Sequence, residues 1–129
     1  MKKLIAIILC VWSINTIAQE ESNKNIAETT FEVDGVCEMC KKRIENAVMR
    51  APGVKLAEWN VETHMLKVVY KPSKVNEDEL HAAVNAVGHD TEKQKAEDEV
   101  YEQIHKCCHY RDEAVIDKHK KTGSGNSAQ

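Results

Sequence analysis

The sequence predicts an α+β fold: an antiparallel sheet with two helices on one face and an additional helix toward the C-terminus. Three observations lead there. The hydrophobic period alternates between two and 3.6 residues in the order strand, helix, strand, strand, helix. Turn and cap residues stand at each change of period. The chain has 129 residues, room for one ordinary domain with appendages.

In residues 30–33, Phe31 and Val33 share a side and Glu32 takes the other, which predicts a strand. Asp34-Gly35 is a turn signal. From Cys40 onward Ile44, Ala47, Val48 and Ala51 recur at helical spacing, until Pro52-Gly53 ends the run. Ala57, Trp59 and Val61 then share one strand face, and Leu66, Val68 and Tyr70 another, with Glu62-Thr63-His64 as the turn between them. His64 and Met65, at that turn, are expected away from the cysteines and read as surface residues.

Asn76 with Glu79 forms a capping box ahead of the stripe Leu80, Ala83, Val84 and Val87, and Gly88 is placed to cap the helix end. One more strand would complete a ferredoxin-like βαββαβ sandwich. Residues 89–93 stand in its place; they hold no large apolar side chain, as befits a short polar edge strand. Residues 97–109 carry Val100, Tyr101, Ile104 and Cys108 at helical spacing and predict a third, amphipathic helix that packs on the domain. The domain is expected over 29–94, a helical extension with a Cys/His cluster over 95–116, and a Lys-, Gly- and Ser-rich disordered tail over 117–129.

Residues 1–18 read differently. Lys2 and Lys3 precede the apolar run from Leu4 to Trp12, and Thr16-Ile17-Ala18 offers small residues to a signal peptidase. This is the pattern of a cleaved export signal, with a polar linker over 19–28 behind it. The expected location is the periplasm or outside the cell. A run of nine apolar residues falls short of the ~20 that span a membrane. Leu9, before Cys10, is too large for a lipoprotein cleavage site. Loss of Lys2 and Lys3 moves the net charge from −3 to −5, and loss of Cys10 leaves four cysteines. No basic excess exists to bind nucleic acid.

The remaining cysteines form a CxxC, Cys37 and Cys40, and a vicinal pair, Cys107 and Cys108. Four cysteines in an exported chain ordinarily mean two disulfides, but this spacing resembles two ligand clusters. Cys40 falls at the start of the first helix, where backbone N–H groups and the helix dipole favour a thiolate, and Cys37 falls in the loop before it. Two converging thiolates suit Cu(I) and Hg(II), whereas Zn(II) ordinarily takes four ligands. The alternatives are a thiol–disulfide redox protein, or a structural interaction module whose CxxC closes as a disulfide. The first lacks the proline-bearing loop facing the CxxC that a thioredoxin-like site needs.

The segment from Phe31 to Glu45, with Gly35-Val36-Cys37-Glu38-Met39-Cys40 at its centre, resembles the opening of a heavy-metal-associated domain. Gly53-Val54, residues 59–63, residues 68–72 and residues 86–90 continue the resemblance, which covers roughly residues 29–94. It implies a βαββαβ fold with Cu(I), Zn(II), Cd(II) or Hg(II) held on Cys37 and Cys40. The layout is similar to copper metallochaperones and to the periplasmic mercury-binding protein. The resemblance implies a binding or transfer protein, not an enzyme, that captures a cation, Cu(I) before Hg(II) or Zn(II), and passes it by ligand exchange. The partner would be a metal-transport or efflux protein; in the family, residues at the positions of Lys41, Lys42 and Arg43 meet an acidic partner, the alternative being that these three are ordinary surface residues. His89 would be a third ligand, as in some bacterial relatives, or a solvent-exposed loop residue.

Two departures stand out. Only Val36 separates Gly35 from Cys37, so the loop is a residue shorter than the family's and lacks its usual methionine. The chain also continues past the family's last strand. There His105, Cys107, Cys108 and His109 offer a second metal site, or a set that completes the first. On a continuous helix His105, Cys108 and His109 would share one turn. The alternative is that Cys107 and Cys108 extend an apolar face, since buried cysteine behaves as a small hydrophobe. Haem attachment is not indicated, because no CxxCH occurs.

Overall fold

The computed structural model describes residues 25–123. The segment read as an export signal, most of the linker and residues 124–129 lie outside the described residues. The elements are β1 (Ala27–Glu32), α1 (Glu38–Met49), β2 (Val54–Trp59), β3 (Met65–Tyr70), α2 (Glu77–Asn85), α3 (Asp98–Gln103), a 3-10 turn (Lys106–Cys108) and α4 (Glu113–Gly123).

The sheet is antiparallel in the order β1-β3-β2, with Phe31 opposite Leu66 and Trp59 also opposite Leu66 from the other side. Period-two alternation places Phe31, Ala57, Trp59, Leu66, Val68 and Tyr70 in the core. Helix α1 covers β2 and contacts α2. Its stripe buries Cys40, Ile44, Ala47 and Val48, and the stripe of α2 buries Leu80 and Val84. Each large apolar side chain taken out of water here contributes about 1.5–3 kcal/mol. The capping box on α2 forms in both directions: Asn76 Oδ1 accepts from Glu79 N at 3.0 Å, and Asn76 N donates to Glu79 Oε2 at 2.8 Å.

The structure departs from the sequence expectations in several places. Strand β1 begins at Ala27, inside the segment read as linker, with Ala27 opposite Tyr70 and Glu28 opposite Val69. The ladder is made by backbone groups, exposed Glu28 pairs with Lys67 at 3.1 Å, and Ala27 packs on the core only with a methyl group, so no large apolar side chain announces the extra residues.

The expected fourth strand is reduced to a single bridge between Val33 and Thr91. Asp34 N donates to Asp90 O at 2.9 Å and Glu92 N to Glu32 O at 3.2 Å, so the chain does run beside β1. A turn closed by Thr91 N to Gln94 O at 2.8 Å then folds it away. His89, Asp90 and Thr91 are buried rather than lying on a polar edge: Tyr110 and Arg111 of the extension pack on His89 and Asp90, and Thr91 Oγ1 lies 2.7 Å from His81 Nδ1 of α2.

The helix expected over 97–109 is broken. Helix α3 ends at Gln103, Ile104 is extended at φ −70°, ψ 157°, and a 3-10 turn follows. The break lets Ile104 lie against Gly88, where a Cβ would come within 2.7 Å of Ile104 Cγ2. With φ +90°, Gly88 holds a conformation that side-chain-bearing residues rarely adopt. Beyond the turn, Ala114 N donates to Asp112 Oδ1 at 2.9 Å and α4 runs to Gly123, through the first part of the segment expected to be disordered. Glu113 in its first turn and Lys120 and Lys121 in its last complement the helix dipole.

The extension is fastened to the segment after α2. Tyr101, Ile104, Cys108 and Tyr110 join the core. Tyr110 Oη donates to Gly88 O at 2.8 Å and accepts from Asp90 N at 2.9 Å. Arg111 grips the Asp90 carboxylate through Nε at 3.0 Å and Nη2 at 2.7 Å, and donates to Ala96 O at 2.9 Å.

Candidate metal centre

Cys37 is the N-cap of α1, in extended backbone at φ −156°, ψ 172°, and Cys40 sits in the first helical turn. The Cys37 and Cys40 sulfurs are 3.5 Å apart. Cys37 is half-buried and Cys40 fully buried.

The loop is held at both ends. Trp59 Nε1 donates to Val33 O at 3.0 Å and to His64 O at 3.1 Å, and Val33 N donates to His64 O at 2.9 Å. The β2–β3 turn therefore stands at the cysteine end of the sheet, correcting the expectation for His64 and Met65. The reason is topological: β1 and β3 run antiparallel with Glu32 opposite Met65, so the start of β3 lies beside the end of β1. Gly35 passes so close to the indole that a Cβ would lie 2.9 Å from Trp59 Cη2 and 3.1 Å from Cys40 Cβ.

Cys108 arrives from the extension. Its sulfur is 3.7 Å from that of Cys37, and the sulfurs of Cys37, Cys40 and Cys108 all lie within 4.8 Å of one another. Cys107 Sγ lies 3.9 Å from Cys108 Sγ and 3.6 Å from Met39 Sδ, on the exposed side. The four cysteines among the described residues are free thiols.

The histidines take other places. His89 is buried, with Nδ1 2.7 Å from Asp34 O and Nε2 3.3 Å from Arg43 Nη1. A guanidinium only donates, so Nε2 accepts and the Nδ1–H donates, which engages both ring nitrogens. The His89 imidazole is pushed down to about 4 by burial and by the Arg43 charge, its bond to Asp34 O opposing. His105 caps the 3-10 turn, with Nδ1 3.1 Å from Cys107 Sγ, and His109 turns its Nε2 to Ile104 O at 3.1 Å. Because the segment is not a continuous helix, His105, Cys108 and His109 do not share a helical turn.

The thiols are unequal. Burial pushes the Cys40 thiol up, and negative charge on Cys37 and Cys108 adds to this against a favourable bond from the Val36 backbone. The favoured thiolate is instead Cys108: burial raises it, but the Arg43 guanidinium and bonds from Cys40 and Cys37 outweigh that and hold it below the ordinary thiol range. Among the basic residues after the loop, Lys41 is tied to Glu45 Oε1 and Trp59 O, both at 2.6 Å. Sequence reasoning missed Arg43 and Met39 as neighbours of the sulfurs. Their positions, three residues after Cys40 and between the two cysteines, were the available signals.

A small α+β domain presenting thiols at a loop–helix junction is the class that fold and site define. The heavy-metal-associated domain model matches residues 30–90. The copper chaperone CopZ of Staphylococcus epidermidis is 30% identical over 66 residues, which cover 50% of this chain and 97% of the chaperone. A copper-exporting P-type ATPase of Staphylococcus haemolyticus is 31% identical over 93 residues, 70% of this chain but 12% of the ATPase. A solved CopZ metallochaperone shares 30% identity at a TM-score of 0.49 over 50% of this chain and 98% of its own. A solution structure from Bacillus anthracis str. Ames, 23% identical, shares the fold at a TM-score of 0.51 over 54% of this chain and 99% of its own. The chain belongs to the heavy-metal-associated domain family, and it spans nearly the whole of the chaperone but a small part of the ATPase. The residues matched by the family model end before Cys107 and Cys108.

Proposed function

We propose that the protein is an exported carrier, rather than an enzyme, that captures Cu(I) on Cys37 and Cys40 and hands it to a metal-transport or efflux protein by thiolate exchange. The observation that carries this reading is the 3.5 Å approach of the two sulfurs at the loop–helix junction. A similarity to copper chaperones over almost their full length supports it. Soft thiolates favour Cu(I) or Hg(II) over hard cations. Each thiol that ligates gives up its proton, so uptake rises with pH. Export rests on the pattern of residues 1–18; among the described residues no helix is long and apolar enough to cross a membrane.

The test is an anaerobic titration of the reduced protein with Cu(I), Hg(II) and Zn(II) against a chromophoric chelator. One Cu(I) per chain is expected, with Cu(I) held most tightly. Uptake should be lost in Cys37→Ser and in Cys40→Ser; unchanged stoichiometry in both variants overturns the proposal. A cell fraction holding only uncleaved cytosolic protein overturns the export part.

A further inference from the structure

We propose that Cys108 supplies a third thiolate, so that the cation is held by three sulfurs and roofed by the C-terminal extension. This rests on the Cys37–Cys40 reading and goes beyond it, since the family model matches residues 30–90 and the extension lies outside them.

The sulfur spacing carries the proposal. With a metal–sulfur bond of about 2.3 Å, two sulfurs on opposite sides of an ion stand about 4.6 Å apart, in a flat triangle about 4.0 Å, and at tetrahedral angles about 3.8 Å. The observed separations are 3.5 Å for Cys37–Cys40 and 3.7 Å for Cys37–Cys108. Both are slightly shorter than any of these, as thiols in van der Waals contact are, and both lie far nearer the three- and four-ligand spacings than that of a linear pair; all three sulfurs converge within 4.8 Å of one another.

The surroundings of Cys108 point the same way. As a mere apolar filler, it would face carbon. Its fully buried sulfur instead faces two other sulfurs and the Arg43 guanidinium. Three thiolates around a monovalent cation carry a net charge of −2, and Arg43 is placed to offset part of it. Cys108 is also set in advance. The contacts of Ile104 with Gly88, Tyr110 with Gly88 and Asp90, and Arg111 with Asp90 fix the chain on both sides of it. Loading needs no oxidant: copper stays Cu(I), each ligating thiol releases a proton to solvent, and transfer replaces these sulfurs one at a time by a partner's. With the extension in place, the partner must displace Cys108 as well as the CxxC pair, which makes this a retaining site.

The decisive experiment is X-ray absorption at the copper edge, on reduced protein loaded with one equivalent of Cu(I) in thiol-free buffer, alongside chelator competition. Three sulfur neighbours are expected in the wild type, in Cys107→Ser and in Met39→Leu. Two sulfurs, and at least tenfold weaker retention, are expected in Cys108→Ser. A count of two in the wild type, or three in Cys108→Ser, overturns the proposal. Should Cys108→Ser fail to fold, the wild-type count still decides the ligand number, and a third sulfur lost in Cys107→Ser overturns the assignment to Cys108. A wild-type count of two, with uptake still abolished in Cys37→Ser and Cys40→Ser, removes only the third ligand; no Cu(I) uptake by the wild type removes both readings.

Discussion

The sulfur of Cys108 lies 3.7 Å from that of Cys37, across 71 residues of chain. Neither residue is in the sheet. One caps the N-terminus of α1 and the other ends the 3-10 turn of the extension, so their meeting depends on how the extension is fastened at Gly88, Asp90 and Ala96. The geometry of the sulfur cluster is thereby coupled to residues that carry no metal ligand.

Gly35→Ala should damage the site from beneath. The new Cβ would lie 2.9 Å from Trp59 Cη2 and 3.1 Å from Cys40 Cβ, and the indole is held by two hydrogen bonds. Overpacking of this kind costs about 1–3 kcal/mol. Cys40 must shift, so Cu(I) retention is expected to fall about tenfold, equivalent to ~1.4 kcal/mol. Urea denaturation and chelator competition on the same variant measure both; unchanged retention would show that the loop absorbs the Cβ without moving Cys40.

Arg111→Ala should unfasten the extension. Asp90 is 5% exposed and takes two of its hydrogen bonds from this guanidinium. Breaking a buried ion pair by removing one partner costs about 3–5 kcal/mol, and the 26% exposure of Arg111 puts the expectation near the lower end. Lys at this position restores the charge without the two-pronged geometry and should recover only part of the loss. Denaturant midpoints for the three proteins provide the comparison.

The legible parts of the molecule were those governed by local chemistry. Phe31, Leu66 and Val68 announce strands by alternation, Ile44, Val48, Leu80 and Val84 announce helices by spacing, and Asn76 with Glu79 announces a helix start. The CxxC was equally legible, because its two cysteines are neighbours. The position of Cys108 was not, because helical spacing from Val100 to Cys108 is satisfied on paper and broken in fact at Ile104. That break answers to a tertiary demand, the fit of Ile104 over Gly88. The preference for Cys40 as thiolate failed for a similar reason: its helix-end position favours the anion, but complete burial outweighs it.

Acid should weaken the fold through His89. Its imidazole titrates near 4 in the folded protein and near ~6.5 when unfolded. Between these values the unfolded chain binds a proton that the native state refuses. The contribution is complete above ~6.5, falls as pH drops toward 4, and amounts to about 3 kcal/mol over the window. Burial also lowers His81, so His89→Gln should flatten the decline without abolishing it. Asp90, which Arg111 and the Ala96 N–H hold below the usual carboxylate range against its burial, carries the loss to lower pH still. Urea midpoints at pH 7, 5.5 and 4 test the slope; equal slopes in wild type and His89→Gln would count against the assignment.

Tyr110→Phe is the most selective probe of the coupling between extension and site. The ring can keep its stacking on His89, at 5.3 Å between centroids, while the hydroxyl that joins Gly88 O to Asp90 N is lost. A buried carbonyl and a buried N–H are left unpaired, at a cost of about 1–3 kcal/mol. For a domain of this size that corresponds to a fall of roughly 4–8 °C in Tm per kcal/mol. Cys108 is two residues away, so Cu(I) retention should fall with stability. Asn76→Ala supplies the control: loss of the α2 cap costs about 1 kcal/mol far from the sulfurs, and retention should not change. Matched stability loss with weaker retention in Tyr110→Phe alone would show that the extension, rather than stability in general, sets how firmly the cation is held.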